Sequence, residues 1–239
     1  MQSFRNIDFH GFVEGLIKTI ELRDLYTSGH SKRVSEIAEL ISHEMNMPAK
    51  ECEYMHIAGH LHDIGKIGIP DGILLKTGKL NEAEYFLMQQ HSAIGASIFE
   101  NLEGFEMMAQ IIRHHHERFD GMGYPDRLKG YDIPLGAAII SIADSFDAMT
   151  TSRTYRSGIS IDEALHDIRI NSGKQFNPGV ADAFFRVIKK KENRINLIIN
   201  SYKSHKESVY IPFNSIRTAH NLSQYEKNDV YSSNFCAKS

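Results

Sequence analysis

Ten of the chain's thirteen histidines fall between His30 and His166, and several sit inside runs whose apolar residues recur at helical spacing. This pattern restricts the fold more than any other feature. An imidazole on a buried helix face must find a partner for each ring nitrogen, because an unpaired polar group in an apolar interior is costly. Several such residues on separate helices therefore require those helices to converge on a shared polar centre.

The helical periodicity is readable along most of the chain. Val34, Ile37, Ala38, Ile41 and Met45 form one amphipathic stripe that stops before Pro48. Tyr54, Ile57, Ala58 and Leu61 form a second, closing at Gly65. The stretch 66–80 is rich in Gly and reads as a loop. Asn81 and Glu84 have the spacing of a capping box, which starts a helix running to about Phe99. Met108, Ile111, Ile112 and His115 mark a further helix, followed by a Gly- and Pro-rich loop over 118–134. The run 135–150 is nearly all apolar and is expected at the centre. Two short helices follow, over 162–170 and 179–188. No segment alternates strictly enough for a strand, so the fold class is all-α.

Composition limits the setting. A chain of 239 residues can bury a sizeable core without disulfides. Its two cysteines, Cys52 and Cys236, lie far apart, which fits a reducing cytoplasm and excludes a thiolate zinc site. No apolar run of about 18 residues is present, so no membrane span is expected. From Lys189 onward, nine Lys and Arg face four Asp and Glu; with a net charge of −3, the remainder carries about −8. Such an acidic body is a poor DNA-binding surface. Residues 192–239, rich in Ser, Asn and Lys, are expected to be weakly ordered.

A small set of positions concentrates the chemistry. His62 and Asp63 end an apolar helix beside a Gly-rich loop. Adjacent helical residues point about 100° apart, which leaves His62 at the edge of the stripe and Asp63 nearly opposite its centre. Both reach one site only if that helix is covered on more than one side. His91 has apolar helical neighbours; its alternative is a core histidine bonded to a backbone carbonyl. In the triplet 114–116, the stripe from Met108 through Ile112 continues to His115 and His116, so these two face inward and His114 faces solvent. Asp144 lies in an apolar run, where a carboxylate is expensive unless paired or bound to metal. Asp147 competes with it, or is structural. Lys66, Arg153 and Arg156 are candidate phosphate contacts, against ordinary surface ion pairs.

These are imidazole and carboxylate donors without thiolate, a set that suits iron or manganese, with zinc, nickel and magnesium ranking below. Five or more His and two Asp exceed the needs of one ion, so two are expected. Two ions about 3.5 to 4 Å apart polarise a phosphoryl oxygen and acidify a bridging water for in-line attack.

The motifs HSKRV, HDIGKIGIPD, HHERFDGMGYP, IADSFDAMTTSRTYR and FNPGV, with the spaced His91, occur in an order that resembles the HD-GYP branch of the HD superfamily. The resemblance implies an HD-type helical bundle over residues 11–188, flanked by extensions at 1–10 and 189–239. It implies hydrolysis of cyclic di-GMP, with His30, His62, Asp63, His91, His115, His116 and Asp144 as metal ligands and Asp63 bridging two ions. Asp63 and Lys66 then carry catalytic roles, while Lys66, Arg153, Arg156 and Tyr124 contact substrate. The loop Gly123-Tyr124-Pro125 is associated in the family with substrate contact and with GGDEF-domain partners; a homodimer is a further association to consider. Members with three metals carry a glutamate four residues before the first ligand histidine, where this chain has Tyr26, and Glu21 is too distant to replace it simply. This departure implies two metals and favours pGpG over GMP as product. Phe119 stands where Trp is more usual. The alternatives are a cyclic GMP-AMP phosphodiesterase and a non-catalytic module that binds cyclic dinucleotides or GGDEF proteins. A phosphohydrolase of mononucleotides is disfavoured by the Gly123-Tyr124-Pro125 loop and the Arg153/Arg156 pair.

Overall fold

A computed structural model describes residues 9–23, 29–151 and 158–201. The described residues form helices α1 (Phe9–Arg23), α2 (His30–Glu44), α3 (Ala49–Leu61), α4 (Asp71–Leu74), α5 (Glu82–Ser97), α6 (Glu106–His114), α7 (Leu135–Thr150), α8 (Ile161–Ile170) and α9 (Pro178–Ser201). Two 3-10 turns, Ile64–Gly68 and Gly130–Asp132, interrupt the connections. Among the described residues there is no strand beyond an isolated bridge between Ser172 and Phe176. The all-α expectation holds.

The centre is built by α2 and α7. Helix α2 packs against α3, α7 and α9, and α7 also meets α3, α6, α8 and α9. Val34, Ile37, Ala38 and Ile41 of α2 are fully buried, as are Ala137, Ile139, Ile140, Ile142, Ala143 and Phe146 of α7. Fully burying the Val, Ile and Phe side chains among these contributes about 1.5 to 3 kcal/mol each, which makes α2 and α7 the frame on which the other helices dock. The capping box of α5 forms as expected: Asn81 accepts from the Glu84 N–H and the Glu84 carboxylate accepts from the Asn81 N–H. A second box, Ser160 with Glu163, opens α8.

The weak order expected from 192 onward is corrected over 192–201. Helix α9 continues to Ser201 through a local departure from helical geometry at Lys191, and Ile195, Ile198 and Ile199 join the core. Their spacing of three and four places them on one face, so burial outweighs the polar residues between them. Residues 202–239 lie outside the described residues.

Candidate metal centre

Two helix ends and three helices deliver the site. The first is the end of α3. The α-helix stops at Leu61, His62 forms its C-cap, and Asp63 takes φ −97° and ψ 6° before the 3-10 turn begins. Asp63 therefore escapes the 100° step that placed it away from the stripe. Helix α3 is also covered by α1, α2, α6 and α7, so His62 is completely buried. The second is the end of α6, where His115 is the C-cap and His116 follows. The third is the middle of α7, which carries Asp144 and Asp147. His30 opens α2, and His91 lies within α5.

All seven expected ligands converge, in two groups. Asp63, His91, His115 and His116 form one; His30, His62 and Asp144 form the other; within each, the donor atoms lie within 4.8 Å of one another. Asp63 faces both groups. Its Oδ1 lies 3.4 Å from His91 Nε2, while its Oδ2 lies 3.3 Å from His62 Nε2 and 3.8 Å from His30 Nε2. Asp144 Oδ1 is 3.3 Å from His30 Nε2.

The histidines share a hydrogen-bonding rule. His62 Nδ1–H donates to the Gly59 carbonyl at 2.8 Å, His91 Nδ1–H to Met88 at 2.8 Å, and His115 Nδ1–H to Ile112 at 2.7 Å. Each reaches the carbonyl three residues back. His30 Nδ1–H instead donates to Asp147 Oδ2 at 2.7 Å. These bonds assign the proton to Nδ1 and leave the Nε2 lone pair pointing into the centre, as metal-ligating histidines are held by a partner on the other nitrogen. His91 thus satisfies both readings at once, since its carbonyl bond is what aims Nε2 inward.

The donor set fits divalent cations. His62 Nε2 is buried with no hydrogen-bond partner among the described residues. His91 Nε2 lies 3.4 Å from His115 Nε2 and 3.2 Å from His116 Nε2. Neutral imidazoles that present lone pairs to one another at such distances are poorly placed without a shared cation.

Electrostatics prepare the same state. Burial pushes His91 down and His115 well down, and burial with the neighbouring His91 lowers His116 to about 3. Burial works to raise the Asp63 carboxyl, yet Lys66 and His62 hold it well below the usual range. Burial likewise opposes ionisation of Asp144, and the His30 hydrogen bond outweighs it. Neutral imidazoles beside ionised carboxylates are the ligand forms that metals need. His30 is the exception. Burial opposes its charge, but Asp144 and Asp147 push it up to about 9, so a cation bound there would replace that proton.

Asp147 is settled as a supporting residue. It is buried, accepts from Arg33 Nε at 2.5 Å and Nη2 at 3.0 Å, and fixes the His30 ring. His114 corrects the expectation that it faces solvent. It is 5% exposed, donates from Nδ1 to the Gln110 carbonyl at 2.9 Å, and pairs through Nε2 with Asp126 Oδ2 at 2.8 Å. Both nitrogens are consumed, so it is no ligand. The loop returning over α6 covers the face that the helix alone would leave open.

Lys66 Nζ donates to Asp63 Oδ2 at 2.7 Å from the 3-10 turn. That turn is pressed onto α5: a Cβ on Gly65 would stand 1.8 Å from the His91 carbonyl oxygen. Gly123 is equally confined, since a Cβ there would meet the Arg118 nitrogen at 2.4 Å and the Glu117 Cα at 2.5 Å. The close approach lays the Tyr124 ring against His116, with centroids 4.8 Å apart, and Glu117 accepts from the Asp126 N–H at 2.7 Å. Arg153, Arg156 and Tyr26 lie outside the described residues. Glu21 accepts from the Gly29 N–H at 2.9 Å and thereby braces the start of α2.

Sequence reasoning did not single out Arg23, which reaches the loop behind Lys66, or the Asp126 pairing. The first sits on a helix marked only by Val13 and Ile17, both buried.

The chain is 40% identical over 196 residues to a cyclic di-GMP phosphodiesterase of Thermotoga maritima, covering 79% of this chain and 53% of that protein. It is 36% identical to a 3′3′-cGAMP-specific phosphodiesterase of Vibrio cholerae, covering 77% of this chain and 39% of that one. The chain thus spans about half or less of these relatives' length. The crystal structure of a cyclic GMP-AMP specific phosphodiesterase of V. cholerae superposes with a TM-score of 0.60 at 21% identity, covering 79% of this chain and 53% of the other, which supports the fold. A family model described as HD domain matches residues 14–180, the stretch that supplies every residue of both donor groups, and by that match the chain belongs to the HD domain family.

Proposed function

We propose that this chain is a metal-dependent phosphodiesterase that opens cyclic di-GMP to linear pGpG. The observation that carries the reading is the pair of donor groups joined by Asp63, whose two oxygens face different groups. When bound, two divalent ions would polarise a phosphoryl oxygen and acidify a water. The chain's own residues do the rest. Asp63 and Asp144 stay ionised at neutral pH, burial keeps His91, His115 and His116 uncharged, and the Nδ1 bonds of His62, His91 and His115 aim their Nε2 atoms into the centre. Lys66 offers a cation to the substrate phosphate from its place beside Asp63. Tyr124, whose ring lies tilted against that of His116, forms a wall for the substrate, and Arg153 and Arg156 are proposed to reach it from the segment after α7.

Iron or manganese is the proposed metal, from the oxygen and nitrogen donors without thiolate. Tyr26 in place of glutamate supports two ions and pGpG as end product. The Gly123-Tyr124-Pro125 loop is the proposed contact for GGDEF-domain proteins. A cytoplasmic setting completes the reading; among the described residues no helix is long and apolar enough to cross a membrane.

The test is incubation of iron- or manganese-loaded protein with cyclic di-GMP and chromatography of the products. Linear pGpG is expected from wild type and none from His62→Ala or Asp63→Ala; intact substrate with wild type overturns the reading. The 36% identical relative named for 3′3′-cGAMP supports a second reading, hydrolysis of cyclic GMP-AMP. Rates on a panel of cyclic dinucleotides separate the two.

A further inference from the structure

We infer that Arg23 is a positioning residue for Lys66, holding the turn that aims the lysine at Asp63 and at the substrate phosphate. The inference rests on the proposed role of Lys66.

Arg23 is the last residue of α1, and its side chain reaches across to the 66–71 segment. Nε and Nη2 donate to the same oxygen of Asp71, at 2.9 and 2.7 Å. Nη1 donates to the Lys66 carbonyl at 3.2 Å and to the Ile67 carbonyl, and Nη2 donates to the Ile69 carbonyl at 2.5 Å. These contacts occupy all five N–H donors of a guanidinium. The carbonyls lie at the end of a 3-10 turn, where the Lys66 oxygen also accepts from the Ile69 N–H at 3.1 Å and Arg23 adds a second donor to it. Only a planar fork with donors on three nitrogens can satisfy them together with Asp71; an ammonium cannot.

Lys66 is thereby held from both sides. Gly65 before it is pressed on the His91 carbonyl of α5, and its own carbonyl is held by α1. Its stem is long and flexible, so the place of the ammonium depends on this backbone anchor. The cluster of bonds would also serve a plain structural staple between α1 and the turn. The two roles differ in whether the effect of Arg23 passes through Lys66.

A double-mutant cycle on the metal-loaded full chain decides this. Arg23→Gln is expected to lower kcat/KM for cyclic di-GMP on the order of tenfold to a hundredfold, as a displacement of about 1 Å can. Bound metal stays at the wild-type level. In a Lys66→Ala background the same substitution changes kcat/KM less than about twofold, because the group it positions is gone. Arg23→Lys behaves like Arg23→Gln. In metal-free protein, amide exchange over 66–71 quickens in Arg23→Gln, a readout independent of turnover. An equal loss in both backgrounds, or unchanged exchange, overturns the inference. A wild type inactive on every cyclic dinucleotide overturns the functional reading instead, and exchange over 66–71 then decides whether Arg23 holds the turn. If Arg23→Gln does not fold, Asp71→Asn replaces it, with a smaller loss and the same dependence on Lys66.

Discussion

His30 and Asp147, 117 residues apart, meet through a 2.7 Å hydrogen bond buried between α2 and α7. The bond turns His30 Nε2 toward Asp144 and Asp63, and Arg33 holds Asp147 in turn. One carboxylate thus orients a ligand while another, a helical turn earlier, completes the same donor group.

Asp147→Asn is therefore expected to weaken metal binding by about 10- to 100-fold while leaving the chain folded, because it removes the charge that holds the ring but keeps the shape. Competition against a chelator measures this. Asp147→Ala is a different experiment: it removes the carboxylate from a buried ion pair with Arg33, with a stability loss of about 3 to 5 kcal/mol expected by denaturant titration. Unchanged metal affinity in the Asn variant would remove Asp147 from the account.

The neighbouring histidines of 114–116 should separate cleanly. His115→Ala is expected to lose bound metal, since its Nε2 belongs to the donor group. His114→Ala should keep two ions per chain and lose about 1 kcal/mol of stability, the effect of breaking a half-buried pairing with Asp126. Metal analysis and thermal melts of the two variants check this, and loss of metal from the His114 variant would contradict it.

The Asp126 pairing also has a pH signature. Arg113 foremost, then His114, holds the Asp126 carboxyl down at about 2, against burial. A depressed carboxyl gives stability that is present above its unfolded value and lost as pH falls through the folded one. The difference in melting temperature between wild type and Asp126→Asn, measured on metal-free protein, should be full at pH 5 and close toward pH 2. A gap that widens on acidification would show the pairing to be misjudged.

Gly65→Ala tests the contact between the turn and α5. The added methyl would stand 1.8 Å from the His91 carbonyl oxygen, on backbone that cannot step aside. Destabilisation of about 1 to 3 kcal/mol or more is expected, with weakened metal binding because His91 shares the strain. A neutral effect on both would mean that the turn does not bear on α5.

Much of this was legible in the sequence because helical periodicity reports faces. The stripe through Met108, Ile111 and Ile112 pointed His115 and His116 inward, and the structure puts both in the donor group. Periodicity reports only the element itself. It could not see the 123–126 loop fold back on α6, so His114 looked exposed. It carried α3 through Asp63, because no Gly or Pro follows Leu61 directly, and so gave that carboxylate the wrong direction. The reach of Arg23 to the 66–71 carbonyls depends on how α1 docks, which no local pattern encodes. In Ile195, Ile198 and Ile199 the spacing was present but diluted by Lys and Asn.

The placement of the two donor groups predicts a two-ion centre shared through Asp63. Anomalous diffraction at the metal edge, from crystals of manganese- or iron-loaded protein, tests it most directly. Two peaks per chain are predicted, one among His91, His115, His116 and Asp63, the other among His30, His62, Asp144 and Asp63. A single peak, or peaks away from these residues, would contradict it.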